Sequence, residues 1–504
     1  MATKGGFGTS DEVSRSRDSI KDWEPILQEL AERRASSRAM GGPERIERLM
    51  TQRGKLDARR RIELLFDPGT FVEIGPLAGS SEAPADALVA GMGKIHGRPV
   101  LAGAEDFTVL GGSIGNVSMA KRYRICELAT QERMPLIFML DGAGHRLTET
   151  ESPGRAPNDL LSLADLSGQV PMVCLVLGAS AGHGALTAPL SDLTIITESA
   201  AMFTAGPPLV KAGTGEDVTK EELGGPQVCA DEAGVAHNVV ADDEEAIAMA
   251  RRYLEYLPAY AGDSQRRREA PDTGPRLLDD ILGHISPNPR RVYAMRPVLK
   301  MLVDEGSLFE VQPRYGASIL TALGFIGGRA VAIVANDPSV RSGSIDSAAA
   351  IKAADFIDNV GAFGLPFLFL ADNPGVMAGT AAERSGILKW AGKMYKAQRR
   401  LTSPKIHVTL RKAFGFGTSI MAQNPFDRQT LCYALPTVTL GAMPADSGGK
   451  AAKLDDEERA RLVKEQSAGA WKMAARLGYD DILDPRELRN GVLNGLSLLD
   501  NRLA

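Results

Sequence analysis

Gly97-Arg-Pro-Val-Leu-Ala-Gly-Ala-Glu-Asp106 and Gly328-Arg-Ala-Val-Ala-Ile-Val-Ala-Asn-Asp337 begin alike, end alike and lie 231 positions apart. At the same spacing Val109, Gly112 and Ser113 fall on Val340, Gly343 and Ser344. Met134-Pro-Leu-Ile-Phe-Met-Leu-Asp141 likewise falls on Leu365-Pro-Phe-Leu-Phe-Leu-Ala-Asp372. Pro171 then matches Pro404, and Gly182-His183-Gly184 matches Gly415-Phe416-Gly417, the spacing having grown to 233. Upstream, Asp67-Pro-Gly-Thr-Phe-Val-Glu73 matches Asp304-Glu-Gly-Ser-Leu-Phe-Glu310 at 237. Ordered blocks with a drift of only a few residues mark a tandem duplication.

Each copy carries the same local pattern. Short apolar runs read as buried strands: Pro99–Ala104, Leu136–Leu140 and Met172–Leu177, with partners Ala330–Ala335, Phe367–Leu370 and Ile406–Leu410. Longer helical patterns, Ser118–Gln131 and Ser347–Phe363, lie between them. Alternating strands and helices predict an α/β class with parallel strands and right-handed crossovers. The Pro-, Gly- and charge-rich stretch Pro258–Pro289 is the expected linker region, with a short helix over Leu277–Leu282. The chain therefore divides into a flexible tail at 1–25, a first domain at 26–265 and a second at 266–504. The segment Asp455–Ala504 is helical in composition and is expected to pack on the second copy.

With 504 residues, 44% of them hydrophobic, the chain is too long for one ordinary core. A net charge of -5 exerts no general pull on nucleic acid or an anionic membrane. The clusters Arg59-Arg60-Arg61 and Arg266-Arg267-Arg268 sit near acids and read as solvated helix faces. The four cysteines show no metal-ligand spacing, and Cys126 and Cys174 read as core residues. The polar start, Met1–Arg17, has neither a signal-peptide core nor a membrane anchor, so a cytoplasmic or matrix-like setting is expected.

The matched turns carry the chemistry. Gly182-His183-Gly184 and Gly415-Phe416-Gly417 each follow a buried strand, where glycines let backbone N–H groups approach a ligand. Adjacent N–H groups there can hold developing negative charge. A single Gly-x-Gly usually serves only strand-to-helix packing; its recurrence after the corresponding strand favours a shared chemical use. A second recurring turn, Asp141-Gly-Ala-Gly144 against Asp372-Asn-Pro-Gly375, lies where parallel α/β folds bind ligands, although turn chemistry alone accounts for its residues. A phosphate-binding loop, a His-Glu-x-x-His helix and a nucleophile elbow are all missing from the sequence. The six histidines are scattered singly, so no metal site is expected. Of His183, the backbone N–H is the expected useful group, its ring packed or facing solvent.

Further blocks carry a family resemblance. They include Arg53-Gly-Lys-Leu-Asp-Ala-Arg-Arg-Arg-Ile62, Asp106-Phe-Thr-Val-Leu-Gly-Gly112, Gly206-Pro-Pro-Leu-Val-Lys211, Thr214-Gly-Glu-Asp-Val218, Phe309-Glu-Val-Gln312 and Arg411-Lys-Ala-Phe-Gly415. From about Gly42 onward the chain resembles the carboxyltransferase (β) subunits of propionyl-CoA, methylcrotonyl-CoA and related biotin-dependent acyl-CoA carboxylases. The resemblance implies a crotonase-like (ClpP/crotonase) fold in each half. It also implies head-to-tail dimers stacked as a hexamer, a trimer of dimers, with each active site between one subunit's first half and another's second.

By resemblance the first domain is the acyl-CoA side and the second the biotin side, the biotin being carried by a partner that includes a biotin carboxylase and a carrier. The family mechanism has carboxybiotin release CO2, the biotin anion take the α-proton of the acyl-CoA, and the acyl enolate attack CO2. Carried over by position, Gly182, His183 and Gly184 hold the thioester enolate, and Phe416 and Gly417 hold the biotin oxygen. Gly144, His145, Arg146 and Ser419 are placed in the acyl-CoA pocket, and Asp372, Pro374, Gly375 and Gly415 on the biotin side, with no bound metal. The chain departs from the family at Gly182-His183, where Gly-Gly is common, and at Asp141-Gly-Ala-Gly-His-Arg146, where Asp-Ser-Gly-Gly-Ala-Arg is common. The propionyl-CoA type carries Asp at the position of Ser419. Decarboxylation by the reverse transfer, or a silent scaffold role, are the alternatives.

Overall fold

The structure is a computed structural model that describes residues 10–146, 158–426 and 428–499. Each half builds one eight-stranded sheet. The first contains β1 (Val72–Glu73), β2 (Leu88–Ile95), β3 (Arg98–Glu105), β4 (Leu136–Gly142), β5 (Met172–Ala181), β6 (Leu193–Thr197), β7 (Ala201–Phe203) and β8 (Asn238–Val240). The second contains β9 (Phe309–Val311), β10 (Ile319–Ile326), β11 (Arg329–Asn336), β12 (Phe367–Asn373), β13 (Lys405–Phe414), β14 (Leu431–Ala434), β15 (Thr439–Gly441) and β16 (Asp481–Ile482). The order β1-β2-β3-β4-β5-β6-β8, with β7 on β5, is repeated as β9-β10-β11-β12-β13-β14-β16, with β15 on β13.

The duplication extends to irregularities. The β4–β5 register breaks between Leu140 and Gly142, and the β12–β13 register between Ala371 and Asn373. Leu110, Gly111 and Gly112 turn through positive φ, and so do Arg341, Ser342 and Gly343. Asp67 accepts from the N–H groups of His96 and Gly97, and Asp304 from those of Gly327 and Gly328, so each acid caps the hairpin turn of its own half. All six expected apolar runs lie on strands, and the two expected helices are found at Asn116–Glu132 and Ser347–Gly361.

The six apolar runs pair parallel as expected, and each half adds antiparallel strands that those runs did not announce. β3 to β6 and β8 run parallel, but β1, β2 and β3 pair antiparallel, as do β9, β10 and β11. A two-residue turn at His96-Gly97, both at positive φ, is too short for a crossover and forces a hairpin. The short helix in the linker region sits at Ile281–His284, and a 29-residue helix, Ser10–Arg38, includes residues 10–25. Arg61 also departs from a solvated face: it is 1% exposed and pairs with Asp141 and Asp243. Two buried carboxylates draw it inward, since an unpaired buried charge would be costly.

Both sheets are buried on both faces, which explains their near-continuous apolar strands. One face of the first sheet packs on the helix Asn116–Glu132 through Ile125, Cys126 and Ala129. Its other face packs on the helices Ala58–Leu65 and Asp243–Tyr256, and this layer continues into one face of the second sheet through Phe325, Phe367 and Phe369. The far face of the second sheet is closed by Met295–Leu302 and Leu488–Ser497. The halves are thus joined by a common apolar layer, with Tyr256 stacked on Phe325 at 4.9 Å and its hydroxyl donating to Ser307 O.

Candidate active site

β5 pairs with β6 along its first part and with β7 along its last, and Gly182 follows at φ +55. β13 does the same with β14 and β15, and Gly415 follows at φ +56. Equal left-handed glycines therefore end matched strands and aim matched turns at the strand carboxyl ends. Gly182 N–H is spent on Phe203 O at 3.0 Å and Gly415 N–H on Gly441 O at 3.0 Å. This corrects the expectation for Gly182: its amide completes the β5–β7 pairing and is not available to an anion.

The next two amides are free. Those of His183 and Gly184, and those of Phe416 and Gly417, have no backbone acceptor among the described residues. The short helices that follow, Ala185–Thr187 and Phe416–Ile420, begin too late to supply one. Gly417 is fixed by space, since a Cβ there would lie 2.6 Å from Asn373 Oδ1 and 2.9 Å from Gly375 Cα. Gly184 is looser, with nothing nearer than 3.4 Å.

The second recurring turn abuts the first. Gly144 holds φ +85, and a Cβ on it would lie 2.7 Å from Ala181 O. Gly375 holds φ +117 and its N–H donates to Asn373 Oδ1, while Pro374 lies between them. His145 bridges to Ile114, and Arg146 donates to Asp86 and to the Ser113 carbonyl. Asp372 is wholly buried, its carboxylate taken by Arg411 at 2.8 Å. It is a strut between β12 and β13. Ser419 borders a separate cavity of about 350 Å³ with Gln398, Lys405 and Gln423. Ser419 and the Gly144–Arg146 turn belong to different sheets, and no hydrogen bond between described residues joins them within one chain.

A buried polar chain behind the first turn escaped the sequence reading. His183 Nε2 lies 2.5 Å from Asp159 Oδ1, Asp159 Oδ2 takes Arg122 Nε at 2.6 Å, and Arg122 also reaches Glu105 and Thr187. Burial works against the charge on Asp159, but the hydrogen bond from His183 and the Arg122 guanidinium hold its carboxyl below the usual range. Burial pushes the Glu105 carboxyl up to about 7, Arg122 opposing it. Residues so far apart in sequence show no spacing signal. The one hint was the matched pair Glu105 and Asn336, a charge where the other half is neutral. Among the described residues no cluster of His, Cys, Asp and Glu could hold a metal, and no helix is long and apolar enough to cross a membrane.

A duplicated α/β fold with a matched glycine turn at the end of β5 and of β13 is of the crotonase-like class. The carboxyl transferase domain matches residues 50–503. The methylmalonyl-CoA carboxyltransferase 12S subunit of Propionibacterium freudenreichii subsp. shermanii is 34% identical over 498 residues, 94% of each chain. Methylmalonyl-CoA decarboxylase subunit alpha of Veillonella parvula is 33% identical, with 94% of this chain and 95% of that protein covered. The crystal structure of the transcarboxylase 12S hexamer with methylmalonyl-coenzyme A and methylmalonic acid bound superposes with a TM-score of 0.88 at 33% identity, covering 94% of this chain and 96% of that one. This chain belongs to the carboxyl transferase family and is a carboxyltransferase subunit of the acyl-CoA carboxylase type.

Proposed function

We propose that the chain transfers a carboxyl group between biotin, carried on a partner subunit, and the α (or vinylogous) carbon of an acyl-CoA. The carrying observation is the pair of matched turns, φ +55 and +56 at their first glycines, each followed by two amides with no backbone acceptor. Two anions form in such a transfer, and two amide sites answer them. In the first half the N–H groups of His183 and Gly184 take the thioester oxygen as it gains charge. The Gly144–Arg146 turn borders that place, and Arg146 is held by Asp86.

In the second half the N–H groups of Phe416 and Gly417 fit a ureido oxygen, Gly417 being the residue that can pack this closely on Asn373 and Gly375. Carboxylated biotin, when bound, supplies the CO2 and a base for the α-proton. Gly415 sets the direction of this turn and Asp372 fixes the strand beneath it. The family resemblance favours pairing the two turns between subunits, in a hexamer like that of the 12S relative. A biotin carboxylase and a carrier complete the enzyme, which we place in the cytoplasm.

The test is purified chain, reconstituted with a carboxylated biotin carrier, against a panel of acyl-CoAs of increasing chain length. Labelled carboxylate in at least one product is the expected result. No transfer to any of them by a folded hexamer would leave only the scaffold role. Running the assay from a carboxylated acyl-CoA reads the decarboxylating direction.

A further inference from the structure

The imidazole of His183 lies in a place where the proposed chemistry calls only for a backbone amide. Its Nε2 is fixed 2.5 Å from Asp159 Oδ1, and that carboxylate is itself locked by Arg122 at 2.6 Å. Asp159 is fully buried, and the His183 side chain is 19% exposed. An ionised carboxylate only accepts hydrogen bonds, so Nε2 is the donor to Asp159, and in the neutral ring the lone pair is on Nδ1. Nδ1 makes no hydrogen bond with any described residue. It is separated from the His183 amide nitrogen by Cα, Cβ and Cγ alone. The ring and the amide thus belong to one residue of the turn. Among the described residues, the ring packed near the imidazole is that of His145, its centroid 6.2 Å away.

We propose that His183, oriented by Asp159, is a general base for the α-carbon of the acyl-CoA, so that this subunit exchanges that proton with solvent without any biotin. The inference rests on the acyl-CoA reading of the first turn. In the step, the Cα–H bond breaks, its proton passes to Nδ1, and its electron pair moves into the enolate. The oxygen charge is taken by the amides of His183 and Gly184. The imidazolium trades its proton with water, and return of a deuteron to Cα restores the neutral ring and a labelled thioester. Orientation by a buried carboxylate is how a histidine becomes a directed base, and such bases contribute about 100-fold or more.

The full chain, free of any biotin-bearing protein, would be incubated in D2O with acetyl-, propionyl- and butyryl-CoA, and deuterium in the thioester read by mass spectrometry. Deuterium is expected in at least one of the thioesters. His183→Gln, which keeps a donor toward Asp159 but has no basic ring nitrogen, should lower the exchange rate about 100-fold. Thermal unfolding should stay near wild type. Equal exchange in wild type and His183→Gln overturns the inference. So does absent exchange in a wild type that binds acyl-CoA and transfers carboxyl groups, and the proposed function then stands. Failure to bind or carboxylate any of the thioesters overturns the acyl-CoA reading and this inference together.

Discussion

At the scale of single residues, the free amides follow from which N–H groups the strands have already used. Gly182 and Gly415 are committed to β7 and β15, which leaves His183, Gly184, Phe416 and Gly417. Gly184 has φ -61, close to that of proline, and Phe416 opens a helix, where proline is well tolerated. Gly184→Pro and Phe416→Pro should therefore each delete one donor with little strain and lower kcat by about 100- to 1,000-fold. Steady-state transfer rates beside unchanged circular dichroism check this. The two turns should differ toward alanine: Gly184→Ala is accommodated, whereas Gly417→Ala drives a methyl into Asn373. The second variant should lose about 1–3 kcal/mol on overpacking, measured by denaturant unfolding. The glycines were legible in the sequence because the repeat displayed them twice. The dyad of His183 and Asp159 was not, since its members are brought together only by the β4-to-β5 crossover.

At the scale of elements, the halves solve one problem with different degrees of burial. Asp67 caps the β2–β3 turn and pairs with Arg251 at 3.0 Å, both about a quarter exposed. Asp304 caps the β10–β11 turn and pairs with Arg489 at 2.6 Å, both fully buried. Arg489→Met strands a buried carboxylate and should cost about 3–5 kcal/mol; Arg251→Met, whose pair is screened by water, should cost at most about 1 kcal/mol. Thermal unfolding of both variants decides. Strand contacts also set acid sensitivity. Burial lowers His237 to about 4, where its Nδ1 accepts from Thr194 N between β8 and β6. Below its ordinary pKa of 6.5 the unfolded chain takes up a proton that the folded ring refuses, so stability falls from there to about pH 4 and then levels. His237→Asn, which keeps an acceptor, should remove on the order of 3 kcal/mol of that loss. Denaturation midpoints at pH 7 and pH 4 measure it. The strands were readable from their apolar runs, but β2 and β10 were not, because a hairpin partner carries no crossover helix to announce it.

At the scale of the whole molecule, the middle apolar layer makes the duplication one folding unit. Phe325, Phe367 and Phe369 of the second half share it with Tyr253 and Tyr256 of the first. A fragment ending at residue 265 would expose that layer and should aggregate, and the full chain should unfold in one cooperative transition. Calorimetry showing two separate transitions would contradict this. Sequence alone determined the duplication, the α/β class and the matched glycine turns, because each is written in local pattern and repeated at a nearly constant spacing. Only the tertiary structure decided which amides remain free, that Arg61 and Asp372 are buried struts, and that His183 is held by Asp159. Those outcomes depend on which groups distant segments bring together, and neither spacing nor composition encodes that.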